Sequence, residues 1–134
     1  MHHDRLDTVR KVYAALADGD LETLSGYMHP DVECVFSDEV PLGGVWRGRE
    51  RTIALLRDYL AQFESLHLDI DEWLVSDGAV VVIGNSHGRT LGGGNLWQPF
   101  VHVLRLQEGQ VVRFTKYADA TKELRALGLM PAAP

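Results

Sequence analysis

The sequence lacks most of the features that fix a protein's chemistry at sight. It has one cysteine, Cys34, in 134 residues. That excludes an internal disulfide framework and a thiolate zinc knuckle, since both need several cysteines. Cys34 then reads as a small apolar residue in a strand. No apolar run approaches the ~20 residues of a membrane-spanning helix. Basic residues are outnumbered, with 13 Lys+Arg against 19 Asp+Glu and a formal net charge of −6. A nucleic-acid backbone or an anionic membrane selects for a basic stripe, so neither partner is expected. Met1-His2-His3-Asp4 has no basic stretch leading into an apolar one, so no signal peptide is read there. With a single thiol, this favours a soluble, cytoplasmic protein. Leu91-Gly92-Gly93-Gly94 lacks the Lys-Ser/Thr of a phosphate loop, and no Gly-x-Ser-x-Gly marks a hydrolase nucleophile. His29, His67, His87 and His102 show no metal-ligand spacing, and His2-His3 lies in a terminal tail where a metal binds only incidentally. No metal and no cofactor is expected.

What is present is a globular composition, 46% hydrophobic and 24% charged, of a length that holds one core. A single domain over 1–134, with a tail at 130–134, is expected. Leu6, Val9, Val12, Tyr13 and Leu16 recur at helical spacing over 4–17. Asp20 caps a short helix carrying Leu21, Leu24, Tyr27 and Met28, which His29-Pro30-Asp31 breaks. Val32 to Ser37 reads as a strand and Val45-Trp46-Arg47 as a short extended piece. A third helix presents Ile53, Leu56, Leu60 and Phe63.

The period then changes to two. Leu66, Leu68, Ile70 and Leu74 share one phase, opposite His67, Asp69, Asp71 and Trp73. Turns at Asp77-Gly78, Gly92–Asn95 and Glu108-Gly109 separate strands over 79–90, 96–107 and 110–118. A closing helix runs from Asp119 through Leu124 and Leu127 to Gly128. The layout is α+β: a curved antiparallel sheet with three helices of the N-terminal half on its concave face and a short C-terminal helix. Alternation sends His102 inward with Phe100 and Leu104, Lys116 with Val112 and Phe114, and Ser86 with Val80, Val82, Gly84 and Gly88. The other face carries Trp97, Val101 and Val103 beside Val111, Arg113, Thr115 and Tyr117. It is too apolar for free water, which points to a homodimer through it.

The run from Val12-Tyr13-Ala14-Ala15-Leu16-Ala17-Asp18-Gly19-Asp20-Leu21 through Met28-His29-Pro30-Asp31-Val32-Glu33 resembles the opening of SnoaL-like, ketosteroid-isomerase-like proteins of the NTF2-like superfamily. Gly44-Val45-Trp46-Arg47-Gly48-Arg49-Glu50 resembles that group's entry to the third helix. Gly109-Gln110-Val111-Val112-Arg113-Phe114, followed by Tyr117-Ala118-Asp119, resembles its last strand. The resemblance implies an NTF2-like cone with a pocket between sheet and helices, commonly in a dimer. The fold hosts isomerases, cyclases, epoxide hydrolases and non-catalytic binders, so it leaves the activity open.

The ketosteroid-isomerase base position falls on Phe36, with Asp38 two residues on. Its oxyanion pair falls on Val12 and His102. Tyr13, one residue and about 100° round the helix from Val12, is expected to point elsewhere than that tyrosine does. Limonene-epoxide hydrolases place their acid–base set at Gly84, Ser86 and Lys116 of this chain, and the acid of SnoaL-type cyclases also falls on Lys116. None of these catalytic sets is intact.

His102 is therefore the candidate acid–base group, as an imidazole that titrates near neutrality, or a core histidine satisfied by a carbonyl. Lys116 is a candidate base, electrophile or anion anchor, or an ion-paired stem. Sharing a ligand across adjacent strands, the two suit a carboxylate or enolate. Asp38 is a candidate at the pocket mouth. Tyr13, Phe36, Trp46, Ser86, Phe100 and Phe114 are candidate wall residues. The function expected is binding of a small apolar or carbonyl-bearing molecule. Cofactor-free isomerisation, cyclisation or epoxide opening follows if the site is catalytic; otherwise the domain only binds or dimerises.

Overall fold

The computed structural model describes residues 2–131, with side chains from Asp4 onward. The side chains of His2 and His3 and residues 132–134 of the expected tail lie outside the described residues. The backbone of His2 and His3 belongs to the first helix rather than to a tail. The elements are α1 (His2–Ala17), α2 (Leu21–Gly26), β1 (Met28–Phe36), β2 (Gly44–Arg47), α3 (Arg49–Leu60), β3 (Phe63–Ser76), β4 (Ala79–Thr90), β5 (Asn95–Gln107), β6 (Gln110–Ala118) and α4 (Ala120–Ala126). None of these helices is long and apolar enough to cross a membrane.

Asp20 opens α2 by accepting the Thr23 backbone N–H at 3.1 Å, and Asp119 opens α4 by accepting that of Thr121 at 3.0 Å. Such caps satisfy amide groups that the first helical turn leaves unpaired. The strands form one curved sheet in the order β2-β1-β6-β5-β4-β3. Every join is antiparallel except β1 with β6, which is parallel. The early strand thus extends the later meander from its β6 edge, after a crossover through most of the chain. Helix α1 packs on β3 and β4, and α3 on β1, β2 and β3. A hollow is left between them.

The structure departs from the sequence pattern where local irregularities reset a period. Helix α2 stops at Gly26, and Met28 already starts β1. Pro30 is tolerated there because the β1–β6 ladder is interrupted between Met28 and Glu33, and β2 pairs only from Glu33 onward. A bulge between Ile70 and Glu72 shifts the phase of β3, so Trp73 and Val75 join the core while Leu74 is exposed. A second irregularity pairs Arg105 with Arg113 but Leu106 with Val111. It leaves Val112 as the extra residue and buries Val111, which plain alternation assigns to the outer face. Helix α3 ends before Phe63, and its fully buried stripe is Thr52, Leu55 and Tyr59. The stripe Ile53, Leu56 and Leu60 is only partly buried.

Two glycines let β3 close over the inner face of β4. A Cβ on Gly84 would lie 2.2 Å from the Asp69 carbonyl oxygen, and one on Gly88 2.0 Å from that of Ser65. Neither position has room for a side chain, so neither can carry the charged group that the epoxide-hydrolase likeness seeks at Gly84.

Candidate functional site

The hollow is a cavity of about 240 Å³. Its walls are mostly apolar: Leu16 from α1, Leu56 and Leu60 from α3, Leu66, Leu68 and Ile70 from β3, Phe36 from β1 and Phe114 from β6. Polar groups enter from Tyr13, Tyr59, Ser86, His102 and Lys116, with His67 and Asp69 on an exposed part of the wall. Apolar walls with a few convergent polar groups make the usual form of a small-molecule site, and this volume lies just under the ~300–1,000 Å³ of drug-sized ligands.

Alternation along β5 turns His102 inward between Phe100 and Leu104, and it is 5% exposed. Its ring stacks on Phe100 at 4.0 Å and tilts against Phe114 at 4.7 Å. The Tyr13 hydroxyl meets His102 Nδ1 at 2.6 Å. Burial pushes the imidazole well below its ordinary pKa, and the positive charge of Lys116 lowers it further. Burial likewise lifts the Tyr13 phenol well above its usual value. The pair is therefore neutral at pH 7. It can be wired in two ways. Tyr13 donates to Nδ1 and the ring proton sits on Nε2, or Nδ1–H donates to Tyr13 and leaves Nε2 unprotonated and a phenolic proton free.

A depressed histidine makes stability depend on pH. As pH falls below the unfolded value near 6.5, the unfolded chain takes up a proton that folded His102 refuses. Stability is present above that value and is lost toward the folded pKa, by up to about 1.4 kcal/mol per pH unit. Urea midpoints measured from pH 7.5 to 5 are expected to fall more steeply for the wild type than for His102→Phe. Parallel slopes would show that His102 is not buried as described.

The second polar group is built from three elements. Lys116 lies directly opposite His102 across β5 and β6. Its Nζ donates to Glu123 Oε1 at 3.1 Å and to the Tyr59 hydroxyl at 3.2 Å. Tyr59 in turn donates to Glu123 Oε1 at 3.0 Å. The ammonium also sits 5.7 Å from the Phe36 ring and 5.3 Å from that of Tyr59, in cation–π range. Burial, and then the charge of Glu123 and the bond to it, lift the Tyr59 phenol well above its ordinary pKa.

Of the residues selected from sequence, Tyr13, Phe36, Ser86, His102, Phe114 and Lys116 stand on one cavity wall. The others do not. Asp38 is exposed in the turn after β1 and is not on the wall. Trp46 packs in the core cluster around Leu55 and Phe36, with its Nε1–H on the Leu42 carbonyl at 3.0 Å. Phe100 lies beneath His102, 2% exposed, rather than on the wall. Tyr13, expected to point away from the oxyanion position, meets His102, because the helix is rotated to bury Val9, Val12 and Tyr13 together. Tyr59 and Glu123 escaped the sequence reading. Tyr59 follows Thr52 and Leu55 at helical spacing, and Glu123 stands between Ala120 and Ala126, all on buried helix faces. Those spacings were the available signals.

Burial pushes the Cys34 thiol up to about 12, so it packs as an apolar group. Among the described residues, no three of His, Cys, Asp and Glu are placed to hold a metal ion.

A six-stranded sheet curled against helices around such a cavity is the architecture of NTF2-like proteins. An NTF2-like protein of Burkholderia pseudomallei superposes with a TM-score of 0.87 at 28% identity, covering 92% of this chain and 97% of that one. TerC, crystallized with polyporic acid, superposes at 0.85 with 24% identity over 93% and 98% of the two chains. Within that class, the family model of the SnoaL-like domain matches residues 9–114, and the chain belongs to that family. Uncharacterized protein Rv0034 of Mycobacterium tuberculosis is 31% identical over 117 residues, 85% of this chain and 88% of its own.

Proposed function

We propose that the cavity binds a small, largely apolar, carbonyl-bearing molecule and moves a proton on it without a cofactor, as an isomerase or cyclase does. The observation that carries this is the 2.6 Å contact between Tyr13 and His102, both buried in a mostly apolar wall. In the arrangement with Nδ1–H on Tyr13, Nε2 takes a proton from the carbon beside the carbonyl. The Tyr13 hydroxyl and the Lys116 ammonium stabilise the oxygen as it gains charge. Glu123 carries the counter-charge of Lys116. Buried donors of this kind act most strongly where water is excluded.

Deuterium exchange tests the chemistry without knowledge of the natural substrate. 2-Acetylnaphthalene incubated in D₂O near neutrality should exchange its methyl hydrogens faster with the protein than in buffer, as read by NMR. Binding without accelerated exchange would reduce the protein to a ligand carrier.

We also propose a homodimer through the outer sheet face. Trp97 and Tyr117 there are 59% and 60% exposed; Val101 pairs with Tyr117, Val103 follows two residues on, and Arg113 lies further along β6. A patch of that kind on one monomer is unusual unless a partner covers it. Sedimentation should give twice the chain mass, and Val101→Asp should give the single mass. A monomeric wild type at micromolar concentration would remove the interface.

A further inference from the structure

The one lysine of the cavity wall brings its own counter-ion, and this limits the charge of what the cavity can hold. The side chains of Lys116 and Glu123 are 11% and 2% exposed. Glu123 comes from α4 and faces a separate crevice of about 20 Å³, while Lys116 borders both that crevice and the main cavity. The carboxylate therefore stands behind the ammonium, seen from the cavity, and is held there by the Tyr59 hydroxyl at 3.0 Å. An ammonium has three N–H groups, and Glu123 and Tyr59 engage two. Asp69 and His67 also border the cavity, but both are exposed; the Asp69 carboxylate, 67% exposed, lies 2.8 Å from His87 Nε2, and the His67 ring stacks on that of His87 at 5.2 Å. Across β5 and β6 from Lys116, the buried Tyr13 and His102 are neutral. Among the described residues, the buried charges of the wall thus sum to zero.

We infer that Glu123 is a specificity-determining residue, which by compensating Lys116 makes the cavity select uncharged carbonyl or hydroxyl compounds over carboxylates of the same shape. This rests on the small-molecule reading above and replaces the carboxylate ligand expected from the His102 and Lys116 positions alone. A neutral carbonyl accepts the remaining N–H with no change of charge. A carboxylate entering the cavity sets two anions around one cation where burial weakens screening, and it loses part of its own hydration. Discrimination of this sort comes from the penalty on the wrong ligand as much as from contacts with the right one.

2-Acetylnaphthalene and 2-naphthoate test this, since they differ by a methyl ketone against a carboxylate that is ionised at pH 7. Titration calorimetry is run on the wild type, on Glu123→Gln and on the doubly neutral Lys116→Gln/Glu123→Gln. The wild type should bind the ketone about ten-fold or more tighter than the naphthoate. Glu123→Gln uncovers the ammonium and should reverse the order, and the double variant should restore it. Equal affinity of the wild type for both probes overturns the inference and leaves the small-molecule reading standing. A folded Glu123→Gln with no gain in naphthoate affinity also overturns it. Failure of both probes to bind any of the three proteins overturns the reading and the inference together. If Glu123→Gln does not fold, the wild-type ratio and the double variant decide by the same criteria.

Discussion

Glu123→Ala is expected to lower the folding free energy by about 3–5 kcal/mol, the range for removing one partner of a buried ion pair. The substitution leaves the mostly buried Lys116 ammonium without its anion and the buried Tyr59 hydroxyl without its acceptor. It also unfastens α4, whose inward face is Ala120, Glu123 and Ala126. Domains of this size have about 5–15 kcal/mol in total, so the loss is a large share. Replacing both charges, as in Lys116→Met/Glu123→Leu, should recover most of it, because apolar side chains of similar volume often match a buried pair. Urea unfolding followed by circular dichroism gives both values. A loss below about 1 kcal/mol for Glu123→Ala would mean that the pair is hydrated and lies outside the core.

His102→Ala is expected to slow the exchange of 2-acetylnaphthalene hydrogens by about 10²–10⁴-fold, the usual contribution of a positioned acid–base group, with ligand affinity retained. The variant opens a space between Phe100 and Phe114, where the ring now packs. Free imidazole should enter that space and restore part of the rate. Restoration separates a lost proton acceptor from a collapsed wall. Tyr13→Phe should slow exchange less, since it keeps the base and the Lys116 ammonium while removing one donor to the oxygen and the partner that fixes the imidazole tautomer. An undiminished rate in His102→Ala would move the chemistry away from this residue.

The inward phase of His102 on β5 and of Lys116 on β6 was legible because alternation along a strand is a local property. Three or four flanking side chains, such as Phe100 and Leu104, are enough to set it. The homologous signatures at the first helix, at Gly44–Glu50 and at the last strand were legible for the same reason, as short contiguous runs. Phase was misread at Leu74 and Val111, where a bulge inserts one residue. A bulge is settled by the pairing of two strands and leaves no mark in either one alone.

The site divides along the same line. The two periods and the turn signals determined by themselves an α+β layout with a histidine and a lysine turned toward its helices, while the acidic balance and the lone cysteine only excluded partners and frameworks. Tertiary structure alone decided the partners of those two groups. Tyr13 and His102 are 89 residues apart in sequence, and Tyr59 and Glu123 are 64 apart. A hydrogen bond across such a distance depends on the rotation of a helix about its axis and on where α4 docks. Many contacts fix those quantities together, and no short segment encodes them.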